Sequence, residues 1–357
     1  MAPDASSLLD DGVAVYQNEL SHPTLEGPKM YKRNGWYYLF APAGGVPTGW
    51  QVALRSRSPL GPYEAKIVMN QGSSPVNGPH QGAWVTTPDG RDWFFHFQQC
   101  GVYGRVLHLQ PMCWVDDWPF IGQERNGDGI GEPVEQWPLP LPEFPVSLEA
   151  SDDFAGPELG LQWQWQANPQ SSWYRVKDGL TLYMPPCERG ESLLWYMPNV
   201  LTQMPQSWVF SMRTTVTLIP ERKGDEGGIA VMGHSYSALT LRRGICGNEL
   251  SIYEGRVTEA SISGIAVETE RFCMPIESSA ITLCLYFEQG GIVRYGFVNE
   301  QGQTQMLPGS YTAAESTWSS AKPALFARNI HNTPCAGAAR FAQVTFVLNE
   351  EAPDDGI

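Results

Sequence analysis

Short runs of aromatic and β-branched residues recur along this chain, each closed within four to eight positions by a Gly/Pro or Asp/Gly breaker. Trp36–Phe40, Trp50–Arg55, Ala83–Thr86, Trp93–Phe97 and Val106–Leu109 are separated by Gly44-Gly45, Gly61-Pro62, Gly78-Pro79 and Asp89-Gly90. No window sustains a 3.6-residue apolar period, so helices should be few and the pattern is that of short antiparallel strands. Gly12–Tyr16 reads as one further strand near the start. With 36 Gly and 29 Pro among 357 residues, the breakers are dense enough to sustain this rhythm throughout.

The rhythm pauses once. Asn126-Gly-Asp-Gly-Ile-Gly-Glu-Pro133 is Gly-rich and polar, and lacks the full ligand register of a calcium loop, so it reads as a turn. The proline-rich Trp137–Pro145 that follows reads as a semi-rigid connector. The expected division is therefore a first domain over 1–140, a linker over 141–150 and a second domain over 151–350. Beyond the linker, strands are expected at Leu180–Tyr183, Trp208–Met212, Gly228–Met232, Ala280–Tyr286 and Phe341–Leu348, spaced as in a β-sandwich.

Charged residues make up only 17% of the chain and its net charge is -15, which disfavours nucleic acid because phosphates would be repelled. Its 13 Trp, 14 Tyr and 14 Phe suit a neutral ligand with apolar faces, such as a sugar. Seven scattered cysteines without CxxC or metal spacing read as mostly buried thiols of a reducing compartment. No apolar run is long enough to span a membrane and Met1-Ala-Pro-Asp-Ala is not a leader, so a cytoplasmic location without a membrane partner is expected for the chain as given, a truncated start being the alternative.

One carboxylate stands out. Glu26 lies in a Gly/Pro-bounded turn ahead of the aromatic run Trp36–Phe40, and apolar walls there would hold its proton on toward neutral pH, as a general acid requires. Glu26-Gly-Pro-Lys-Met-Tyr-Lys-Arg-Asn-Gly-Trp-Tyr-Tyr-Leu-Phe-Ala-Pro-Ala-Gly-Gly45, Asn77-Gly-Pro-His-Gln-Gly-Ala-Trp-Val85, and Asp92-Trp-Phe-Phe-His-Phe-Gln98 with Tyr103-Gly-Arg-Val-Leu-His-Leu-Gln-Pro-Met112 follow one another in order. These blocks resemble the segments of family 43 glycoside hydrolases that surround the general acid. The opening of the second domain, Ser151–Trp165, is similar to the concanavalin-like sandwich that follows the catalytic propeller in many β-xylosidases of that family.

The resemblance implies an all-β chain in which a partial β-propeller of two to three blades precedes a β-sandwich. It implies inverting hydrolysis of xylo- or arabino-configured glycosides of plant cell-wall polysaccharide, with Glu26 as general acid. His80 would sit beneath the sugar as substrate contact and ligand of a Ca2+ ion, and Arg105 would hold sugar hydroxyls. Trp50 is the chosen stacking wall, with Trp36, Tyr103 and Trp84 as further candidates. Gln99 stands where the family pattern leads one to expect an acidic residue.

An inverting enzyme also needs a base carboxylate roughly 6.5–9.5 Å from the acid. In the family that base and an acid-tuning Asp lie upstream of the acid segment, so with 25 residues ahead of Glu26 both are expected to be absent from their usual places. Asp10, Asp11, Asp92, Asp116, Asp117 and Asp128 are available, without a spacing that sets any of them opposite Glu26. A base from a second copy is the other source, since open blade edges favour a homo-oligomer. The alternative reading is a carbohydrate-binding remnant without turnover.

Overall fold

The computed structural model describes residues 1–140, 150–258, 265–334 and 337–353. The chain divides into two compact units, Met1–Cys100 with Arg105–Pro145, and Gly101–Gly104 with Val146–Ile357. Most of the expected linker, 141–149, and Cys335 lie outside the described residues. Helical structure among the described residues is confined to three-residue 3-10 turns, and no helix is long and apolar enough to cross a membrane.

The first unit is two four-stranded antiparallel meanders, the two blades of a partial propeller. β1 (Lys29–Arg33), β2 (Trp36–Ala43), β3 (Trp50–Ser56) and β4 (Glu64–Met69) form one; β5 (His80–Thr86), β6 (Asp92–Gln99), β7 (Arg105–Val115) and β8 (Trp118–Ile121) form the other. Two tight turns fix the registers. Asn34 and Gly35 both have positive φ between Arg33 and Trp36, and Asp116 and Asp117 do the same between Val115 and Trp118. Positive φ at both central residues is the hairpin geometry whose twist matches that of the strands it joins. Gly12–Tyr16 forms no ladder, contrary to expectation; Val15 and Tyr16 instead pack against Leu39, Val52 and Leu54.

The blades share an aromatic core. Tyr38, Phe40 and Phe94 are fully buried, and Trp84 and Trp114 meet edge to face at 5.0 Å. Asp92 accepts from the indole Nε1 of both tryptophans at 2.8 Å, so the polar edge of each large ring is satisfied while its faces are buried. Trp36 is likewise committed, donating to Asp117 Oδ2 at 3.2 Å and lying beneath the Arg57 guanidinium.

The second unit is a sandwich of two antiparallel sheets. One runs in the order 174–176, 180–183, 338–348, 210–219, 280–288, 292–298, 304–306, with 311–312 added on 292–298. The other runs 265–276, 248–258, 236–243, 225–232, 322–329, 201–202, 164–165. Alternating residues point inward from both, among them Leu239, Leu241, Leu283, Leu285, Leu325 and Phe341, all fully buried. Tyr103 belongs here: its ring meets Trp208 at 4.3 Å and packs on Phe287, so it is a packing residue of the sandwich.

Candidate active site

Glu26 is held by the backbone on either side of it. Its N–H donates to Pro42 O at 3.1 Å and Gly44 N–H donates to Pro23 O at 2.8 Å, which ties the loop to the end of β2. Across from it, His80 opens β5 with a fully buried ring, and its Nε2 lies 2.7 Å from Glu26 Oε1. The ring is seated by its surroundings. Gln51 Nε2 holds Pro79 O at 3.0 Å, and Phe97, paired with His80 across the ladder, lies 5.7 Å from it ring to ring. Gly49 closes another side: a Cβ there would stand 3.1 Å from His80 Nδ1 and 2.4 Å from the carbonyls of Ala43 and Gly45, so only glycine fits.

Arg105 opens β7 with its guanidinium 4.4 Å from the centre of the Phe97 ring, and its charge acts on both Glu26 and His80. Trp50 opens β3 and covers Gly44, where a Cβ would lie 2.4 Å from the indole. Glu26, His80, Arg105 and Trp50 thus all lie at strand starts or on the loop beside them, at one end of the two blades. Three buried polar atoms of this set, His80 Nδ1, Trp50 Nε1 and Arg105 Nε, have no hydrogen-bond partner. Buried polar atoms are ordinarily paired, and a cluster without partners marks a place where a ligand or water completes the bonding.

The electrostatics correct one expectation. Glu26 is not in an apolar pocket: its side chain is 50% exposed, and its pKa lies below the usual carboxylate value, first because of the His80 hydrogen bond and then through Gln81 and Arg105. His80 is pushed down by burial, which outweighs the pull of Glu26. At neutral pH the pair is therefore a carboxylate accepting from a neutral imidazole, with the proton on Nε2 and the lone pair on Nδ1.

Two residues that carry this geometry were not singled out in the sequence. Gln81 has a positive φ of 50° in the irregularity between His80 and Ala83, which carries its amide to Glu26. Phe97 is the shared floor of His80 and Arg105. A bulge has no signature in Pro-His-Gln-Gly, and Phe97 looked like any strand aromatic.

Four of the six aspartates considered as replacement bases are engaged elsewhere. Asp92 and Asp117 accept from tryptophans, Asp10 from Gly12 N–H, and Asp128 from Ile130 N–H within the 126–133 turn. The groups that act on Glu26 are His80, Gln81 and Arg105, none of them a carboxylate. For Ca2+, His80 offers one free nitrogen, and no cluster of three or more His, Cys, Asp or Glu forms among the described residues. A hard cation requires several oxygen donors, which this set of side chains does not fit. Gln98 bridges Asn77 Oδ1 at 2.7 Å and Pro75 O, steadying the loop ahead of His80.

Comparison with known proteins gives two family matches: "Glycosyl hydrolases family 43" over residues 1–119 and "Beta xylosidase C-terminal Concanavalin A-like domain" over residues 151–347, more than half of the chain. A Xylanibacter ruminicola protein, provisionally named a beta-xylosidase, is 43% identical over 245 residues, covering 68% of this chain and 45% of its own length. A Formosa agariphila beta-xylosidase is 34% identical over 229 residues, 56% of this chain and 37% of that one. The chain thus spans less than half the length of these relatives. Among solved structures, the GH43 protein BlXynB of Bacillus licheniformis superposes with a TM-score of 0.77 at 19% identity, over 91% of this chain and 65% of that one. The xylan beta-1,4-xylosidase of Bacillus halodurans does so with a TM-score of 0.75 at 20% identity, over 94% and 66%.

Proposed function

The chain belongs to family 43 of the glycosyl hydrolases, and we propose that it takes part in hydrolysis of xylo- or arabino-configured glycosides with Glu26 as proton donor. The observation that carries this reading is the 2.7 Å contact between Glu26 Oε1 and a buried His80 Nε2, beside unpaired donors of Arg105 and Trp50. His80 fixes one carboxyl oxygen and thereby the plane from which the proton leaves. Arg105 presents a fixed fork of donors to paired sugar hydroxyls, and Trp50 offers its indole edge and face to the ring.

In an inverting cycle the Glu26 proton passes to the glycosidic oxygen as that bond to the anomeric carbon breaks. A water attacks the opposite face and gives its proton to a second carboxylate. That carboxylate is not among the groups acting on Glu26, so the proposal assigns it to another chain in a homo-oligomer whose blade edges are covered. A sugar that displaces water from Glu26, together with the charge of such a base, would raise the acid's pKa from its depressed resting value.

The depressed pKa is also what favours a second reading, a carbohydrate-binding protein without turnover. Purified chain assayed on aryl β-xylosides and α-arabinofuranosides, with and without Ca2+, alongside calorimetry with xylo- and arabino-oligosaccharides and light scattering, separates the two. Turnover lost on Glu26→Gln supports the hydrolase. Saccharide binding without turnover supports the binding protein, and turnover that survives Glu26→Gln on every substrate refutes the assignment of the acid.

A further inference from the structure

A bulge in β5 puts one side chain where a regular ladder would not. His80 pairs with Phe97 and Ala83 with Phe95, so Gln81 and Gly82 together stand opposite the single residue His96. A two-against-one step of this kind bends the strand and re-aims the side chain it carries. Gln81 takes the step with a φ of 50°, and of the non-glycine residues with positive φ among the described residues it alone lies inside a strand. Left-handed backbone is costly for glutamine, which lacks the short polar side chain that lets Asn or Asp offset it locally.

The left-handed conformation falls on Gln81 and not on the neighbouring Gly82. Gly82 is required for a different reason, since a Cβ there would stand 2.0 Å from the Phe94 ring. Backbone strain persists where the surroundings over-determine it, and it collects at functional sites. Here it delivers an amide. The Gln81 side chain lies against Gly27, with Oε1 3.0 Å and Nε2 3.1 Å from where a Cβ of that residue would stand, and it donates to the carboxylate of the adjoining Glu26. Glu26 is half exposed, so its bond to His80 Nε2 competes with water, and Arg105 acts on it through its charge.

We propose that Gln81 is a positioning residue for the acid: the bulge is held under strain so that its amide is the second donor, keeping the Glu26 carboxyl in the plane set by His80 with the protonated oxygen turned toward the leaving group. The inference rests on Glu26 being the proton donor, and goes beyond it by assigning the aim of that donor to a residue that acts through Glu26 and not on the sugar. The proton passes from Glu26 to the glycosidic oxygen, and Gln81 keeps its own.

The test is Gln81→Gly, which removes the amide and the strain together, with Gln81→Met as a variant that keeps the bulk and removes only the amide. The melting temperature of Gln81→Gly should be unchanged or raised, because glycine adopts this φ freely. Its kcat on a glycoside with a poor leaving group should fall by up to about 10²-fold, the cost of a small misplacement of a reacting group, with KM nearly unchanged. An aryl glycoside with a good leaving group should lose much less, and Gln81→Met should show the same split. A merely structural glutamine predicts the opposite, a lower melting temperature with equal losses on both substrates, and that result overturns the proposal. If the wild-type chain turns over neither glycoside, the reading of Glu26 as donor fails by itself. The contact is then decided by the side-chain carboxyl 13C resonance of Glu26, assigned by its loss in Glu26→Gln. A shift of that resonance in both Gln81 variants at fixed pH supports the contact, and an unmoved resonance overturns it.

Discussion

Each unit of this protein sets a carboxylate against a basic side chain at 2.7 Å, and the two pairs are built for opposite ends. In the blades Glu26 is half exposed, its pKa is depressed by its hydrogen bonds, and its partner His80 is neutral. In the sandwich Glu226 is wholly buried against Arg328, burial pushes its carboxyl above the usual range, and Arg328 is further engaged by Glu268 at 2.8 Å and by Ser192 O. A histidine and an open carboxylate can exchange protons with a substrate. A buried arginine cannot give up its proton at any accessible pH, and with a partner at each of its three nitrogens it serves to hold strands together. The lesson is that a short ion-pair distance says little about function; exposure of the carboxyl and the titratability of its partner decide it.

The sharpest way to break this contrast is to remove the carboxylates in turn. Glu26→Gln should lower turnover of a glycoside with a poor leaving group by about 10²–10⁴, the usual contribution of a general acid, and should affect an aryl glycoside with a good leaving group less. Steady-state kinetics on the two substrates measure this, and urea denaturation should find stability nearly unchanged. Arg328→Ala should do the reverse, destabilising by about 3–5 kcal/mol because it strands the buried Glu226 carboxylate and takes a partner from Glu268. Arg328→Met with Glu226→Leu and Glu268→Leu should cost much less than Arg328→Ala, which the same denaturation curves would show.

Acid separates the units as well. His96, buried and stacked on His108 with an interplanar angle of 11°, has its pKa lowered to about 4 by burial, and His22, His80 and His108 are lowered for the same reason. The unfolded chain takes up these protons first as pH falls, so stability of the blades should decline from the unfolded histidine value of 6.5 down to about 4. For His96 alone the loss is ~3 kcal/mol, from 1.36 kcal/mol per pKa unit. Urea midpoints against pH, followed by tryptophan fluorescence, should fall over that window, and less steeply in His96→Gln.

The smallest effect is the most specific. His80→Ala removes the main cause of the depressed Glu26 pKa, so the acid's titration should move up toward the ordinary carboxylate range. If the chain turns over glycosides, the limb of kcat/KM that reports the acid should shift to higher pH, together with weaker sugar binding; a profile that does not move would remove His80 from the proton chemistry.

Strand periodicity, turn chemistry and the three ordered motifs made the all-β division legible from residues alone. Trp36–Phe40, Trp50–Arg55 and Leu180–Tyr183 lie in strands as short aromatic and aliphatic runs bounded by turn residues, and that signal is local. Asn34-Gly35 also marks its hairpin locally, since positive φ at both positions is cheap for that pair. Gly12–Tyr16 carries the same pattern but finds no partner strand, and pairing is a non-local event.

The same limit governed the site. Glu26, His80, Arg105 and Trp50 were each readable as candidates, and tertiary structure alone brought them to one end of the blades and set the sign of the Glu26 pKa shift. A string of aromatics around Glu26 suggests an apolar pocket. Only the folded chain reveals that those rings pack into the blade core and leave the carboxyl half in water against a buried histidine, because burial and hydrogen bonding depend on residues 54 positions apart in the chain.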